Sequence, residues 1–335
     1  MSQRPSIKDI ARLAGVSPST VSRALAGSPR ISQATRQRIE SIARELNYTP
    51  SLAARSLVTG DIPILGVIAP TLSDPYVASV MKGLEQASQA EGYQRLVASS
   101  HGDPEQELEM VRMLSGHHIA GLIIISSRVT QGYTPLLDGL SIPVVFINSL
   151  HTGENVFNVM TDNEYGGWLA TQHLLQQGHT HIAYLSGPTR GRSQAARLAG
   201  YRRALEEAGE KFHADYVLSG DGSIEAGRKA LHWWLHQPVT TRPTAIFCYN
   251  DLSALGLLAE AFQQGVRIPD DLSVVGFDNA PVAEISIPPL TTVEQRTERL
   301  GRLAVASLLA ALAQKPVTDI ILRGELIVRA SVQKQ

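Results

Sequence analysis

One pattern constrains this chain more than any other. Short apolar runs recur along most of its length: "ILGVIA" (64–69), "RLVAS" (95–99), "GLIIIS" (121–126), "PVVFIN" (143–148), "HIAYLSG" (181–187), "TAIFCY" (244–249) and "LSVVGF" (272–277). Amphipathic stretches such as "YVASVMKGLEQASQAEG", "EYGGWLATQHLLQQG" and "ARLAGYRRALEEAG" lie between them. Strands that are apolar throughout, alternating with helices, predict parallel sheets covered on both faces, an α/β body. Roughly ten such strands exceed what one sheet usually holds, so two subdomains are expected. In parallel sheets the loops after the strand C-terminal ends hold ligands. Those loops nominate Asp74, Tyr76, Ser126 and Asn148 in the first subdomain, and Ser193, Arg197, Asn250, Asp251 and Asp278 in the second. Carboxylates, amides and an arginine suit a polyol, whose hydroxyls both donate and accept. The competing reading is that Asn250, Asp251 and Asp278 cap loops or helices.

Residues 1–60 follow a different grammar. They hold nine Lys/Arg against three Asp/Glu in a chain whose net charge is only −1, so a basic head sits on an acidic body. Such a head predicts a polyanion partner. Ser6 with Asp9 reads as a capping box for a helix that ends at Gly15, with Ile7, Ile10, Ala11 and Ala14 on its apolar stripe. Ser17 and Pro18 open a second helix to about Leu25, and Ser32 opens a third to about Leu46. Two short helices joined at a Gly-containing turn and braced by a third form a helix-turn-helix, whose second helix presents its N-terminal residues to the major groove of double-stranded DNA. In "VSPSTVSRAL" the outward positions are Pro18, Ser19, Ser22 and Arg23; Arg23 can bond a guanine edge bidentately. Ser6, Ser17, Thr20, Ser32 and Thr35, around the helix N-termini, complete the expected DNA-facing set in the head. A plain three-helix bundle would share the pattern but not the charge.

The next segment, "NYTPSLAARSLVTG" (47–60), reads as a proline stop, about two helical turns and a glycine break. Two turns are too short to be stable alone, so the segment either orders on a partner or is a linker.

"IKDIARLAGVSPSTVSRALAGSPRISQATRQRIESIARELNYTPSLAARSL" resembles the DNA-binding head and hinge of the LacI/GalR family of bacterial transcription regulators. The resemblance continues in order through "ILGVIAP", "GLIIISS", "GHTHIAYLSGP", "RLAGY", "TAIFCYNDLSALG", "LSVVGFDN" and "PPLTTVEQ". It implies a helix-turn-helix domain (1–48), a hinge helix (49–61) and a periplasmic-binding-protein-like effector and dimerisation domain (62–335). Subdomain 1 would comprise about 62–160 and 292–321, and subdomain 2 about 161–291 and 322–335, with crossings near Met160, Thr291 and Leu322. The resemblance also implies that the hinge enters the minor groove, with Ala54 and Leu57 at DNA and Leu57 wedged into a base step. It places Asp278 and Arg197 at effector-contacting positions, with Asn250 and Gln295 at further pocket positions. A pseudo-palindromic operator and a homodimer follow, because one recognition helix reads few base pairs. Candidate dimer faces are Val80 to Leu84 and the helix 302–312.

Two departures bear on the effector. Gly222 stands where many relatives carry a stacking aromatic, and Ala195 where sugar-responsive relatives often carry arginine; the open platform would admit a larger ligand such as a disaccharide, or Trp233 or Tyr249, both also readable as core, would fill in. A sugar or sugar derivative is the expected effector, with a purine or nucleoside co-repressor as the alternative. A solute-binding protein without transcriptional work is disfavoured by the basic head. No dinucleotide or Walker phosphate motif occurs, His179 and His181 lack a third ligand, Cys248 sits in an apolar strand, and no nucleophile elbow is present. No enzyme, cofactor or metal is therefore expected. With no apolar run of about 18–20 residues and no signal-peptide core at the start, a cytoplasmic protein is expected. No leucine-heptad tail follows "ELIVRASVQKQ", so no tetramerising coil is expected either.

Overall fold

Ser6, Ser17 and Ser32 each stand immediately before a helix, and the chain folds there as its caps dictate. The structure, a computed structural model, describes residues 5–25, 27–46, 48, 63–129, 133–188 and 192–335. Its contacts divide the chain into two units, Met1–Pro63 and Ile64–Gln335. In the first, α1 (Ile7–Ala14), α2 (Pro18–Leu25) and α3 (Gln33–Glu45) enclose Ile10, Ala11, Ala14, Val21, Ala24, Ile39 and Ala43. Asp9 accepts from both the backbone N–H and the hydroxyl of Ser6, at 3.0 and 2.7 Å, which fixes the start of α1. Gly15, with φ of 63°, ends it in the left-handed conformation that lets the chain turn into α2. Ser17 and Ser32 accept from the N–H of Thr20 and Thr35, satisfying helix-terminal donors. The hinge residues Ala54 and Leu57 lie outside the described residues.

The second unit carries two six-stranded sheets. The first runs in the order β11-β5-β4-β3-β1-β2, with β1 (Ile64–Ala69), β2 (Gln94–Ser99), β3 (Gly121–Ile125), β4 (Val144–Ile147), β5 (Val156–Thr161) and β11 (Ile320–Leu322) all parallel. The second runs β12-β10-β9-β8-β6-β7. In it β6 (Ile182–Leu185), β7 (Val217–Leu218), β8 (Ala245–Cys248), β9 (Ser273–Asp278) and β10 (Thr291–Glu294) are parallel, and β12 (Glu325–Ile327) closes the edge antiparallel. Helices flank both sheets: α4 (Pro75–Ala90), α5 (Pro104–Gly116), α6 (Tyr133–Leu137), α7 (Asn163–Gln176), α8 (Arg192–Glu207), α9 (Ile224–Leu235), α10 (Asp251–Gln263), α11 (Pro281–Ile285) and α12 (Thr297–Leu312).

The chain passes between the sheets after β5, after β10 and between β11 and β12. The second passage falls later than the sequence reading placed it: Thr292 to Glu294, assigned there to subdomain 1, pair in register with Gly276 to Asp278 of the second sheet. The turn comes at Arg296, whose φ of 54° redirects the chain into α12, and no apolar rhythm announces a single left-handed residue. Two residues of the face expected at a dimer interface turn inward. Val80 and Leu84 are fully buried against Leu300, Ala304, Val305 and Leu308 of the same chain. Glycine makes that packing close: a Cβ at Gly83 would stand 2.0 Å from the Glu298 carbonyl oxygen, and one at Gly301 2.3 Å from that of Val80. Among the described residues no helix is long and apolar enough to cross a membrane.

Candidate functional site

In the first unit, Val21 and Ala24 turn α2 inward, which leaves Pro18, Ser19 and Arg23 exposed and Ser22 half-buried on the opposite side. Ser17 bonds the hydroxyls of both Ser19 and Thr20 at 2.8 Å, and Ser32 that of Thr35 at 2.8 Å, so these oxygens mark the helix starts as a preformed polar edge. Arg36 reaches back to the carbonyls of Gly27 and Ser28 at 3.0 and 2.8 Å and fixes the loop that follows α2. Ser6, at the start of α1, already has its hydroxyl on Asp9. The arrangement presents one short helix with the exposed Arg23 guanidinium and small hydroxyls, the groups that base-edge readout uses.

In the second unit the strand ends meet at a cavity of about 120 Å³. Of the residues nominated from sequence, it brings together Asp74, Tyr76, Ser126, Asn148, Ser193, Arg197, Asn250, Asp278 and Gln295. Three of them, Ser126 (φ 49°), Asn148 (φ 53°) and Asp278 (φ 117°), take positive φ at the ends of β3, β4 and β9. Non-glycine residues held there cost of order 1–3 kcal/mol each and cluster at ligand sites.

A hydrogen-bonded chain crosses the cavity floor. Asn148 donates to the Tyr76 hydroxyl at 2.7 Å and to Gln295 Oε1 at 3.1 Å, while its own Oδ1 accepts from the Thr161 N–H at 2.6 Å. Gln295 donates to Asp278 Oδ1, and Arg197 Nη2 stands 4.0 Å from the same oxygen. Arg197 is itself buried, donating to Asn163 Oδ1 at 2.9 Å and to the Tyr249 carbonyl, with its guanidinium 3.7 Å from the Phe277 ring centroid and 4.5 Å from that of Tyr249. Burial raises the Asp278 carboxyl well above its ordinary range; Arg197 pulls it back, and Asp251 and Asp74 push it further up. Asp74 caps α4 through the Tyr76 N–H at 2.9 Å and is likewise raised by burial, against that hydrogen bond and the Arg197 and Arg128 charges. Asn250 both lines the cavity and caps α10, accepting from Ser253 N–H while donating to the Gly222 carbonyl at 2.9 Å.

Asp251 does not belong to this set. It is fully buried, with Oδ1 on the Thr292 hydroxyl at 2.6 Å and Oδ2 on the Ala280 N–H at 2.7 Å, so it ties α10 to β10 and the start of α11. Adjacency to Asn250 suggested the cleft, but the first turn of α10 rotates the next side chain into the core. Trp233 lies away from the cavity, whereas Tyr249 lines it. His179 is a buried structural residue, bonded to Thr244 Oγ1 at 2.8 Å and to the Gln333 carbonyl at 3.1 Å, and Cys248 is buried with its thiol pushed up by desolvation.

The family described as bacterial regulatory proteins, lacI family, matches residues 6–51, and the periplasmic binding protein-like domain matches residues 171–332. The HTH-type transcriptional repressor PurR of Aliivibrio fischeri (strain MJ11) is 33% identical over 329 residues, which is 97% of this chain and 98% of that protein. PurR of Vibrio parahaemolyticus serotype O3:K6 is 34% identical over 331 residues, 98% of each chain. The chain belongs to the LacI family.

Solved structures of LacI-family regulators superpose on the whole chain. The lac repressor dimer bound to operator and the anti-inducer ONPF aligns with a TM-score of 0.86 at 27% identity, covering 99% of this chain and 100% of that one. The CelR–cellobiose complex aligns at 0.74 and 30% identity, covering 98% and 100%. This LacI-family chain is a ligand-responsive, DNA-binding transcription regulator with an effector-binding body.

Sequence reasoning missed Ser127, Arg128, Arg192 and Asp221, which also line the cavity. Their signal was adjacency: Ser127 and Arg128 follow Ser126, and Arg192 precedes Ser193. It also missed Glu107 of α5, a buried carboxylate whose Oε1 accepts from the hydroxyls of Ser127 and Tyr133 and whose Oε2 accepts from the Arg128 N–H at 3.4 Å. Nothing local in "PEQELEM" shows that its second glutamate turns inward.

Gly222 has a φ of 80°, and a Cβ there would stand 3.3 Å from the Tyr249 ring; a Cβ at Gly187 would come within 2.5 Å of the same ring. An aromatic at 222 and Tyr249 in its present place would compete for one space. Tyr249 occupies that space in this chain.

Proposed function

We propose that the protein is a repressor that binds a pseudo-palindromic operator as a homodimer in the cytoplasm and changes its operator affinity when a sugar-type effector occupies the cavity of the second unit. The observation that carries the effector class is the cavity floor. A carboxylate, a guanidinium and two carboxamides are fixed by one another in a small cavity, an array that offers both donors and acceptors to neighbouring hydroxyls. Tyr249 gives such a ring one flat, weakly polar wall. Ser19, Ser22 and Arg23 read bases in this proposal, and Leu57 wedges a central step.

Dimerisation rests on apolar surface as well as on operator symmetry. Leu96 and Val97 are exposed on the edge strand β2 and Met113 on α5, and Ile285 and Ile287 are 77% and 88% exposed. Exposed apolar side chains and an open strand edge are features of association surfaces, and the lac repressor neighbour is a dimer.

The relatives named PurR favour a second reading, a purine effector. Tyr76 and Tyr249 would then flank a base. Thermal unfolding against mono- and disaccharides, their phosphates, purine bases and nucleosides separates the two. A ligand at about 100 times its Kd stabilises the folded state by about 2.7 kcal/mol. Shifts confined to sugars support the proposal, and shifts confined to purines replace it.

A further inference from the structure

The outer edge of the second sheet carries a cavity of about 360 Å³ between β7 and α9. It shares no lining residue with the effector cavity. Its walls are apolar: Leu185 and Leu218 from the sheet, Ala226 and Ala230 from α9, and the ring of Trp233. The helix packs through its other faces, with Gly227 against Ser253 and Leu257 of α10 and the Trp234 indole donating to the Pro243 carbonyl at 2.7 Å. Trp233 is left half-buried on the open side, where Tyr216 meets it edge-on at 6.4 Å and 79°. The Tyr216 hydroxyl donates to the Thr241 carbonyl, so this aromatic wall is anchored.

Two opposite charges bracket that ring. Lys229 lies one turn before Trp233 on the same face of α9, and Asp215 immediately precedes Tyr216; both line the cavity and both are exposed. An ammonium and a carboxylate beside an apolar wall suit a ligand that carries the opposite pair, because charge-assisted hydrogen bonds are the stronger kind. The volume lies within the ~300–1,000 Å³ of typical small-molecule sites. From Ala226 to Trp233 the helix rises about 10 Å, which is room for one aromatic amino acid. With two residues, β7 is too short an edge to take an added peptide strand.

We propose that this cavity is a second ligand site, for an aromatic amino acid. The ring lies on Trp233 between Leu218 and Ala230, the carboxylate accepts from the Lys229 ammonium, and the amino acid's own ammonium donates to Asp215. The two sites are joined through the backbone. Ser219 lines the edge cavity while Asp221 and Gly222 line the effector cavity. Gly220 between them lies flush on the end of β6, where a Cβ would stand 2.4 Å from the Ser186 carbonyl oxygen. Occupancy of the edge cavity therefore orders a loop that forms one wall of the effector cavity, whichever effector that cavity takes.

The test is titration calorimetry of the full-length protein with L-phenylalanine and L-tryptophan, each compared with its deaminated and its decarboxylated analogue. The variants Lys229→Met and Asp215→Asn change exposed positions, and circular dichroism and melting temperature establish that each is folded. The expected result is that one of the two amino acids binds the wild type at one site per chain with a Kd below about 1 mM. Either analogue, and either variant, should lower the affinity at least about tenfold. Amide hydrogen exchange of the wild type should slow over residues 214–230 when that amino acid is present. No binding up to about 10 mM, analogues that bind as tightly as the amino acid, full affinity in both folded variants, or protection confined to other segments would each overturn the assignment.

Discussion

Asp251 provides the sharpest quantitative test, because the same side chain was a candidate ligand by sequence and is a core residue by structure. Burial pushes its carboxyl from the ordinary 3.8 up to about 6, against the hydrogen bonds from Thr292 and Ala280. That difference corresponds to about 3 kcal/mol. The folded state holds the proton more tightly than the unfolded chain, so this contribution to stability is complete below about pH 3.8 and is lost as pH rises through about 6. The imidazoles of His151, lowered to about 4 by burial and Arg192, and of His173 and His179 act in the opposite sense over an overlapping window. The wild-type profile alone is therefore ambiguous, and the difference from Asp251→Asn is not. Asparagine keeps an acceptor for the Ala280 N–H, and the Thr292 hydroxyl can rotate to accept from its amide. Urea unfolding followed by tryptophan fluorescence reads the relevant sheet, since Trp168, Trp233 and Trp234 all lie on helices that flank it. The stability of Asp251→Asn minus that of wild type should rise by about 2.4 kcal/mol between pH 4 and pH 7. Effector affinity should be unchanged, because Asp251 lies outside the cavity. A flat or falling difference curve would refute the buried-carboxylate account, and a lost effector response would return Asp251 to the site.

Three further substitutions probe other parts of the molecule. Arg23→Ala should cost about 1–3 kcal/mol in operator binding and relax specificity at one base position, read by mobility shift on operators substituted one position at a time. Gly301→Ala should destabilise the second unit by about 1–3 kcal/mol, because its methyl meets the Val80 carbonyl rather than a movable side chain; denaturant unfolding measures it. Glu107→Gln should weaken effector binding about tenfold with operator affinity unchanged in the absence of effector, because it loosens the Ser127 and Arg128 wall without touching the ligand; calorimetry and mobility shift together decide this.

The α/β body was legible because each of the seven apolar runs quoted from sequence contains a strand, and the three helix caps in the head could be read from Ser6, Ser17 and Ser32. The strands that escaped are short or mixed in polarity, and β11 and β12 have three residues each. β5 interrupts its apolar residues with Asn158, β7 has two residues, and β10 is largely threonine. Their places are set by neighbours distant in sequence, and periodicity does not report such neighbours. The site was legible where a strand end could be located, which is why nine nominated residues meet in one cavity. It failed where the outcome depended on helix phase: one residue separates Asn250, whose side chain reaches Gly222, from Asp251, whose side chain reaches β10. Val80 and Leu84, expected at a dimer face, turn inward for a related reason. Small and apolar residues on one helix face serve a close intrachain partner as well as an external one, and Gly83 against Glu298 shows which partner this chain uses.

The cavity network also bears on how an effector changes operator affinity. Moving operator occupancy substantially requires a ligand to discriminate between two states by about 3–5 kcal/mol. A hydrogen bond to a charged group contributes about 1.5–3 kcal/mol, so two bonds that form in only one state, to Asp278 and Arg197, are sufficient. Asp278 ends β9 and Arg197 lies on α8 beside the second sheet, while Asn148 follows β4 and Tyr76 lies on α4 beside the first, and Gln295 joins them at a chain passage. A hydroxyl inserted between Gln295 and Asp278 must displace a bond of the existing floor. The effector therefore gains only the excess of its own bonds over the one it displaces. Gln295→Glu removes that balance: its carboxylate faces Asp278 with no donor between them. It should bias the cavity against closing, so that effector affinity falls by at least tenfold at pH 7 and by less at pH 5, because burial raises the Asp278 carboxyl and protonation relieves the repulsion. Equal losses at both pH values would show that Gln295 acts through shape alone.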